Sequence, residues 1–173
     1  SAFVSFKSVF QKKLTYTLEN PLKKPNLTAL LCLLLLSGCS GTMPRLGIEN
    51  GQLLPCPSSP NCVSSHSGDE AHFIEPIKAT GSRSTAKNTL LKILSESART
   101  TVTQTEDNYI RAEFVSLFLR FVDDVEFLIL EITPDETVIH VRSASRVGHS
   151  DFGVNRKRIE KIRNLFIAMN QDR

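Results

Sequence analysis

The sequence contains none of the short motifs that mark common catalytic sites. The patterns G-x-S-x-G and H-E-x-x-H and the phosphate-binding loop are all absent. The four histidines, His66, His72, His140 and His149, do not follow the spacing of metal ligands. These absences weigh against an enzyme, and they predict neither a bound metal nor a cofactor.

A hydrophobic run long enough to cross a bilayer is also missing. The apolar run from Leu27 to Leu36 is shorter than the roughly 20 residues of a spanning helix, but it suits the hydrophobic region of a secretory signal. It ends in Leu-Ser-Gly-Cys, which resembles a bacterial lipobox. The resemblance implies cleavage before Cys39 and lipidation of that cysteine. The alternatives are an ordinary signal peptide, or a buried helix that happens to contain a cysteine.

Lipidation of Cys39 would make the membrane a partner of the chain without a spanning helix. Mature bacterial lipoproteins typically carry several acyl chains, so the resemblance implies firm attachment in the cell envelope. Ser40 rather than aspartate follows the cysteine. By resemblance to enteric lipoproteins, this favours the periplasmic leaflet of the outer membrane over the inner membrane. The sequence begins with Ser1 rather than methionine, which leaves the translation start open.

An excess of basic charge is missing once the predicted signal is set aside. The chain has 21 Lys and Arg against 18 Asp and Glu, and residues 1–38 hold five lysines and one glutamate. The remaining 16 basic and 17 acidic residues give a formal net charge of −1. Nucleic-acid binding uses a basic stripe, so we expect no nucleic-acid partner.

Cysteines are few, and their expected fates differ. Cys32 would leave with the signal and Cys39 would take the lipid, so Cys56 and Cys62 remain. Outside the cytoplasm such a pair is most simply a disulfide, here closing the loop Pro-Cys-Pro-Ser-Ser-Pro-Asn-Cys. Free or redox-active thiols and a metal site are the alternatives.

Residue patterning predicts seven elements in the order β-α-β-β-β-β-α. Two short polar linkers, Asp-Asn and Thr-Pro-Asp-Glu, indicate hairpins and therefore an antiparallel sheet. We expect an α+β fold with about five strands and two helices packed on one face. The predicted organisation is a signal at 1–38, a tether at 39–53 and one domain at 54–173. The predicted elements span residues 72–79, 84–98, 101–106, 109–117, 123–132, 137–145 and 154–170.

The last hairpin brings acidic and basic residues together. With an even loop Asp123 faces Arg146, and with a three-residue loop Asp124 faces Arg146. In either register Arg142 lies one or two residue pairs from Glu126. Adjacent carboxylates on a strand point to opposite faces, so Asp123 and Asp124 make a poor acid–base pair.

Two interpretations of this charged region stay open. Partly buried charges can simply satisfy one another and hold the hairpin together. Alternatively, a pocket for a small anion is lined by arginines and polar donors near a helix start, where anions bind well. Asp151 argues partly against the pocket, because an acid there can cap the helix itself. The residues of the predicted binding set are Asp123, Asp124, Glu126, Arg142, Ser143, Ser145, Arg146, Asp151, Asn155 and Arg156.

Three stretches together resemble the family called domain of unknown function 1499. They are PCPSSPNCVSS, FVDDVEF and HVRSASRVGHSDFGVNRKRIEKIR, and the resemblance covers roughly residues 54–170. It brings no biochemical activity with it. His149 departs from the aromatic residue expected at its position. The recurrent positions it implies are Cys56, Cys62, Gly148, Gly153 and the predicted binding set.

These observations predict a cell-envelope lipoprotein whose domain binds a small anionic ligand or an envelope protein. A structural or assembly protein without a ligand, and an unrecognised envelope enzyme that uses the Asp/Glu/Arg cluster, are the alternatives.

Overall fold

A computed structural model describes residue 41 and residues 43–171. The predicted signal and Cys39 lie outside the described residues. Among the residues that are described, neither helix combines the length and the apolar character that a membrane crossing needs.

Six antiparallel strands form the main sheet, and two helices complete the α+β fold, which confirms the predicted class. The strands are β3 (Cys62–Ser64), β4 (Ile77–Thr80), β5 (Thr100–Thr105), β6 (Tyr109–Val115), β7 (Val122–Thr133) and β8 (Glu136–Ser145). Their order in the sheet is β3-β8-β7-β6-β5, and β4 pairs with the same edge of β8 as β3 does.

The helices cover one face of this sheet. Helix α1 (Arg83–Glu96) begins after Ser82, whose side chain accepts a hydrogen bond from the Thr85 N–H and caps the helix. Helix α2 (Val154–Gln171) follows the last strand. The two helices and the sheet share one apolar core, because alternate strand residues point towards them. The helix residues at its centre are Ala86, Leu90, Ile93, Leu94, Ile159, Ile162 and Phe166.

Residues 43–53, which are part of the predicted tether, lie against the other face of the sheet. They include a short hairpin of β1 (Ile48–Glu49) and β2 (Gln52–Leu53). The Gly47 N–H donates to Glu126 Oε1 at 2.7 Å, and Leu53 packs on Tyr109 and Leu128. Strand β7 is therefore covered on both faces, which explains why it is buried along most of its length.

The predicted disulfide is confirmed. Cys56 and Cys62 are bonded, and their Cα atoms lie 5.7 Å apart. The bridge ties the irregular segment after β2 to the start of β3. Cys62 itself is buried, so the bridge also fixes this segment against the sheet.

The β7–β8 register differs from both predicted registers. Thr133 pairs with Glu136 at the turn, but a bulge between Glu131 and Thr133 shifts the pairing of every earlier residue. As a result Asp124 pairs with Ala144, and Glu126 pairs directly with Arg142. A bulge adds one unpaired residue to one strand, and neither simple count of the turn residues includes it.

Candidate functional site

The sheet-face cluster is the group of polar side chains beneath the β1–β2 hairpin. Its members come from β6, β7, β8 and the residue after β8, and they share one face because side chains alternate along a strand. The members are Tyr109, Arg111, Glu113, Asp124, Glu126, Arg142 and Arg146.

Glu126 is the buried centre of this cluster. Its side chain has no exposed surface, and Arg142 Nη1 lies 2.6 Å from Glu126 Oε2. The Tyr109 hydroxyl and the Gly47 N–H each donate to Glu126 Oε1 at 2.7 Å. Burial raises the pKa of Tyr109, and its bond to Glu126 adds to the rise. The phenol therefore stays protonated and acts as a hydrogen-bond donor.

Asp124 forms a second centre on the same face. Arg146 donates to it twice, from Nε at 2.7 Å and from Nη2 at 2.8 Å, and also bonds Glu113. Arg111 Nη2 reaches Asp124 at 3.2 Å. The hydrogen bonds to Asp124 are the main cause of the raised pKa of Arg146. Arg146 and Asp124 do meet, as expected, although they are diagonal neighbours and not a directly opposed pair.

The sheet-face cluster is closed and balanced in charge. Its three arginines face three carboxylates, and the Asp124 and Glu126 side chains are fully buried. Among the described residues, Nε of Arg111 and Nε of Arg142 are buried without an acceptor. Buried pairs of this kind add little net stability, but losing one partner is costly. The cluster is therefore suited to fixing strand pairing.

The helix-side network is a second polar group, on the opposite face of the sheet. Asn155 is its hub: its amide nitrogen donates to the Asn61 carbonyl at 3.0 Å and to Ser145 Oγ at 2.9 Å. Its amide oxygen accepts from Ser143 Oγ at 2.6 Å and from Arg158. Arg158 also pairs with Asp123. The network connects the residue before β3 with β7, β8 and α2 at one place.

The remaining residues of the predicted binding set have local structural roles. Asp151 accepts from the N–H of Gly153 at 2.9 Å and of Asn155 at 2.7 Å, so it caps α2. Arg156 donates to the carbonyls of Phe73 and Ala71. The structure therefore does not bring the whole set together: the sheet divides most of it between two networks, and Asp151 and Arg156 belong to neither.

Sequence reasoning missed five residues of these networks. Tyr109, Arg111 and Glu113 alternate along β6, and that alternation was the available signal for a polar face. Arg158 lies three residues after Asn155 on α2, a spacing that places both on one helix face. Asn61 precedes β3 in a loop, and no local pattern marks it.

The residues of both networks lie within a stretch that matches a known protein family. Residues 52–166 match the sequence model described as "Protein of unknown function (DUF1499)". The chain belongs to this family. No curated protein and no solved structure matches the chain.

Three of the four histidines of this DUF1499 domain make specific contacts: a stacked pair and a histidine–aspartate hydrogen bond. The rings of His66 and His140 stack with centroids 4.1 Å apart, and burial lowers the pKa of each. His72 lies 2.8 Å from Asp69, and that hydrogen bond raises the pKa of His72. In the described part of the chain no three His, Cys, Asp or Glu side chains converge as a metal site would require.

An open groove of the DUF1499 domain lies beside the helix-side network. Its volume is about 430 Å³, and it runs between the end of α1, the end of β6 and the exposed side of α2. Phe114, Ile162 and Leu165 are among its apolar lining residues. Its charged lining residues are Arg99, Lys157, Arg158, Lys161 and Asp123, so the groove is cationic. We call it the α2 groove.

Removing Arg142 should destabilise the protein strongly, because it would leave Glu126 charged, buried and without its arginine. For Arg142→Met we expect the free energy of unfolding to fall by about 3–5 kcal/mol. Urea unfolding followed by circular dichroism measures this change. Arg45→Met breaks an exposed pair with Glu49 and should cost about 1 kcal/mol or less. An Arg142→Met protein as stable as the Arg45→Met protein would contradict the structural role.

The stacked histidines should make stability fall on acidification. Their pKa values are lower in the folded chain than the unperturbed 6.5, so below about pH 6.5 the unfolded chain binds more protons. His140→Gln should therefore make the loss of stability between about pH 6.5 and 5 shallower. Unfolding free energies measured across that range test it.

His72→Gln is the control for this measurement. The pKa of His72 is raised, so its contribution is present below pH 6.5 and is lost as pH rises through the folded pKa. His72→Gln should therefore leave the loss of stability between about pH 6.5 and 5 close to that of wild type, and it should make stability fall less as pH rises above 6.5. If the unfolding free energy falls equally steeply with pH in wild type and in both variants, the lowered pKa of the stacked histidines is contradicted.

Proposed function

We propose that the chain is a lipid-anchored protein of the bacterial cell envelope whose domain binds an anionic amphiphile in the α2 groove. Support for the location comes from the lipobox-like ending at Cys39 and from the Cys56–Cys62 disulfide. Disulfides persist in oxidising compartments and are rare in the cytosol. Ser40 rather than aspartate follows Cys39, and this favours the outer membrane.

The lining of the α2 groove is the observation that supports binding. Apolar side chains such as Phe114 and Leu165 suit a hydrocarbon tail, while Lys157 and Lys161 are exposed and suit an anionic head. Pockets that pair an apolar surface with a few polar groups are typical of small-molecule sites. Asp123, the acid at the groove, is already paired with Arg158, so it repels an anion less.

A structural or assembly protein without a ligand is the second candidate. It is favoured by the closed geometry of the sheet-face cluster, in which every carboxylate is bonded to an arginine. The same geometry gives less support to an enzyme acting through these acids. On this second candidate the α2 groove would be an ordinary surface depression.

Reversing charge in the α2 groove should weaken binding of an anionic phospholipid. Each lysine near an anionic lipid contributes about 1 kcal/mol, so Lys157→Glu with Lys161→Glu should reduce affinity about tenfold or more. Native mass spectrometry of the full chain in neutral detergent, with phosphatidylglycerol or phosphatidylcholine added, measures it. Wild type should retain the first lipid in preference to the second.

The matched control reverses two lysines outside the groove, Lys78 and Lys92, both of which are exposed. That variant should bind phosphatidylglycerol as wild type does. If all three proteins bind it equally, or if wild type shows no preference, the groove is not the site and the second candidate is favoured.

Anchoring itself depends on one cysteine. Cys39→Ser should abolish incorporation of labelled palmitate and release the chain from the membrane fraction, because the acyl chains supply the attachment. Cys32→Ser is the matched control and should change neither result. Palmitate labelling that survives in Cys39→Ser would overturn the anchor.

A further inference from the structure

The β6–β7 loop, residues 116–121, presents several large apolar side chains to solvent. Leu117 is 59% exposed, Phe118 89% and Leu119 63%. The loop is closed by two hydrogen bonds of 2.8 Å, from the Ser116 N–H to the Phe121 carbonyl and from the Phe121 N–H to Ser116 Oγ. Contiguous exposed apolar side chains on a folded domain mark a surface that contacts a membrane, a ligand or another protein.

The start of α2 adds apolar surface at the same end of the sheet. Phe152 is 89% exposed and Val154 is 47% exposed. The segment that holds them follows Arg146, whose N–H donates to the Val122 carbonyl at 3.1 Å. Val122 in turn follows the β6–β7 loop directly. The two exposed apolar segments are therefore neighbours at one end of the strands.

Gly41 also lies at this end. A side-chain carbon added at Gly41 would lie 2.8 Å from Arg146 Cβ and 2.8 Å from Val147 Cγ1, so the Gly41 backbone packs closely against this segment. Cys39 is two residues earlier in the sequence. Two residues of extended chain span at most about 7 Å, so the proposed lipid would be attached within about that distance of Gly41.

The charges at this end suit an anionic membrane surface. Arg99, Arg120 and Lys157 are exposed there, and long cationic side chains can reach lipid headgroups while their stems stay in apolar surroundings. The nearby acids Glu113 and Asp124 are paired with arginines within the sheet-face cluster. They therefore repel the membrane less than free carboxylates would.

We propose that this end of the domain docks on the bilayer, with the β6–β7 loop and Phe152 inserted at the level of the headgroups beside the lipidated Cys39. The inference rests on the proposed lipid anchor and adds the orientation of the domain. The loop supplies a second attachment, and the α2 groove, which Ser116 and Val154 also line, then opens at the membrane surface. An apolar element in the interface penetrates about 5–10 Å.

Tryptophan fluorescence tests this orientation, because the chain has no native tryptophan. Phe118→Trp places the probe on the β6–β7 loop. Ile132→Trp places it at the β7–β8 hairpin, where Ile132 is 56% exposed. Ile132 is ten residues beyond Val122 on β7, or roughly 33 Å along the strand, which is far more than the insertion depth. Both side chains are exposed, so neither substitution should disturb packing.

The full lipidated chain is reconstituted into vesicles of phosphatidylethanolamine and phosphatidylglycerol, with and without brominated acyl chains. Phe118→Trp emission should shift to shorter wavelength in vesicles and lose most of its intensity to bromine. Ile132→Trp emission should keep its wavelength and intensity. Vesicle flotation reports attachment of each variant in the same samples.

The alternative outcomes are separable. Attached chains in which neither probe is quenched would overturn the docking and leave the lipid anchor standing. Equal quenching of both probes would overturn the orientation. Chains that do not float with vesicles would overturn both the anchor and the docking that rests on it.

Discussion

The buried pair of Glu126 and Arg142 is the constraint on which much of this structure depends. These residues lie directly opposite each other on the two central strands, and Glu126 is fully buried. A buried carboxylate needs a compensating charge and hydrogen-bond donors. Arg142 supplies the charge, and the Tyr109 hydroxyl and the Gly47 N–H supply the remaining donors. A single carboxylate therefore fixes the pairing of three strands and also the path of the chain before them.

That path also bears on the proposed anchor. Because Gly47 reaches Glu126, residues 43–46 follow the outer face of the sheet. Met43 lies against Arg111, and Gly41 packs beside Arg146. Residues 43–53 are therefore held by the sheet, and the proposed anchor would be attached at the end of the strands where Gly41 lies.

The fold was largely predictable from sequence because its signals are local. The strand-like runs of β6 and β7, the polar hairpin linkers and the apolar stripe of α2 each depend on neighbouring residues. The site was less predictable because its geometry depends on residues that are far apart in the sequence. The bulge near Ile132 shifts the register by one residue, and the packing of residues 43–53 depends on Glu126. Asn61 meets Asn155 only after the whole sheet has formed.

The two polar networks are closed structural units, whereas the α2 groove and the β6–β7 loop are exposed surfaces. The predicted binding residues satisfy one another, so a ligand that reached Arg142 would have to break the Glu126 pair and expose a charge. Binding is far less costly where surface is already exposed, and the α2 groove and the β6–β7 loop both offer that. Asp123 and Arg158 belong to the helix-side network and to the lining of the groove. For the proposed binding in the α2 groove, the helix-side network would hold the wall of the groove in place, and the sheet-face cluster would not need to contact the ligand.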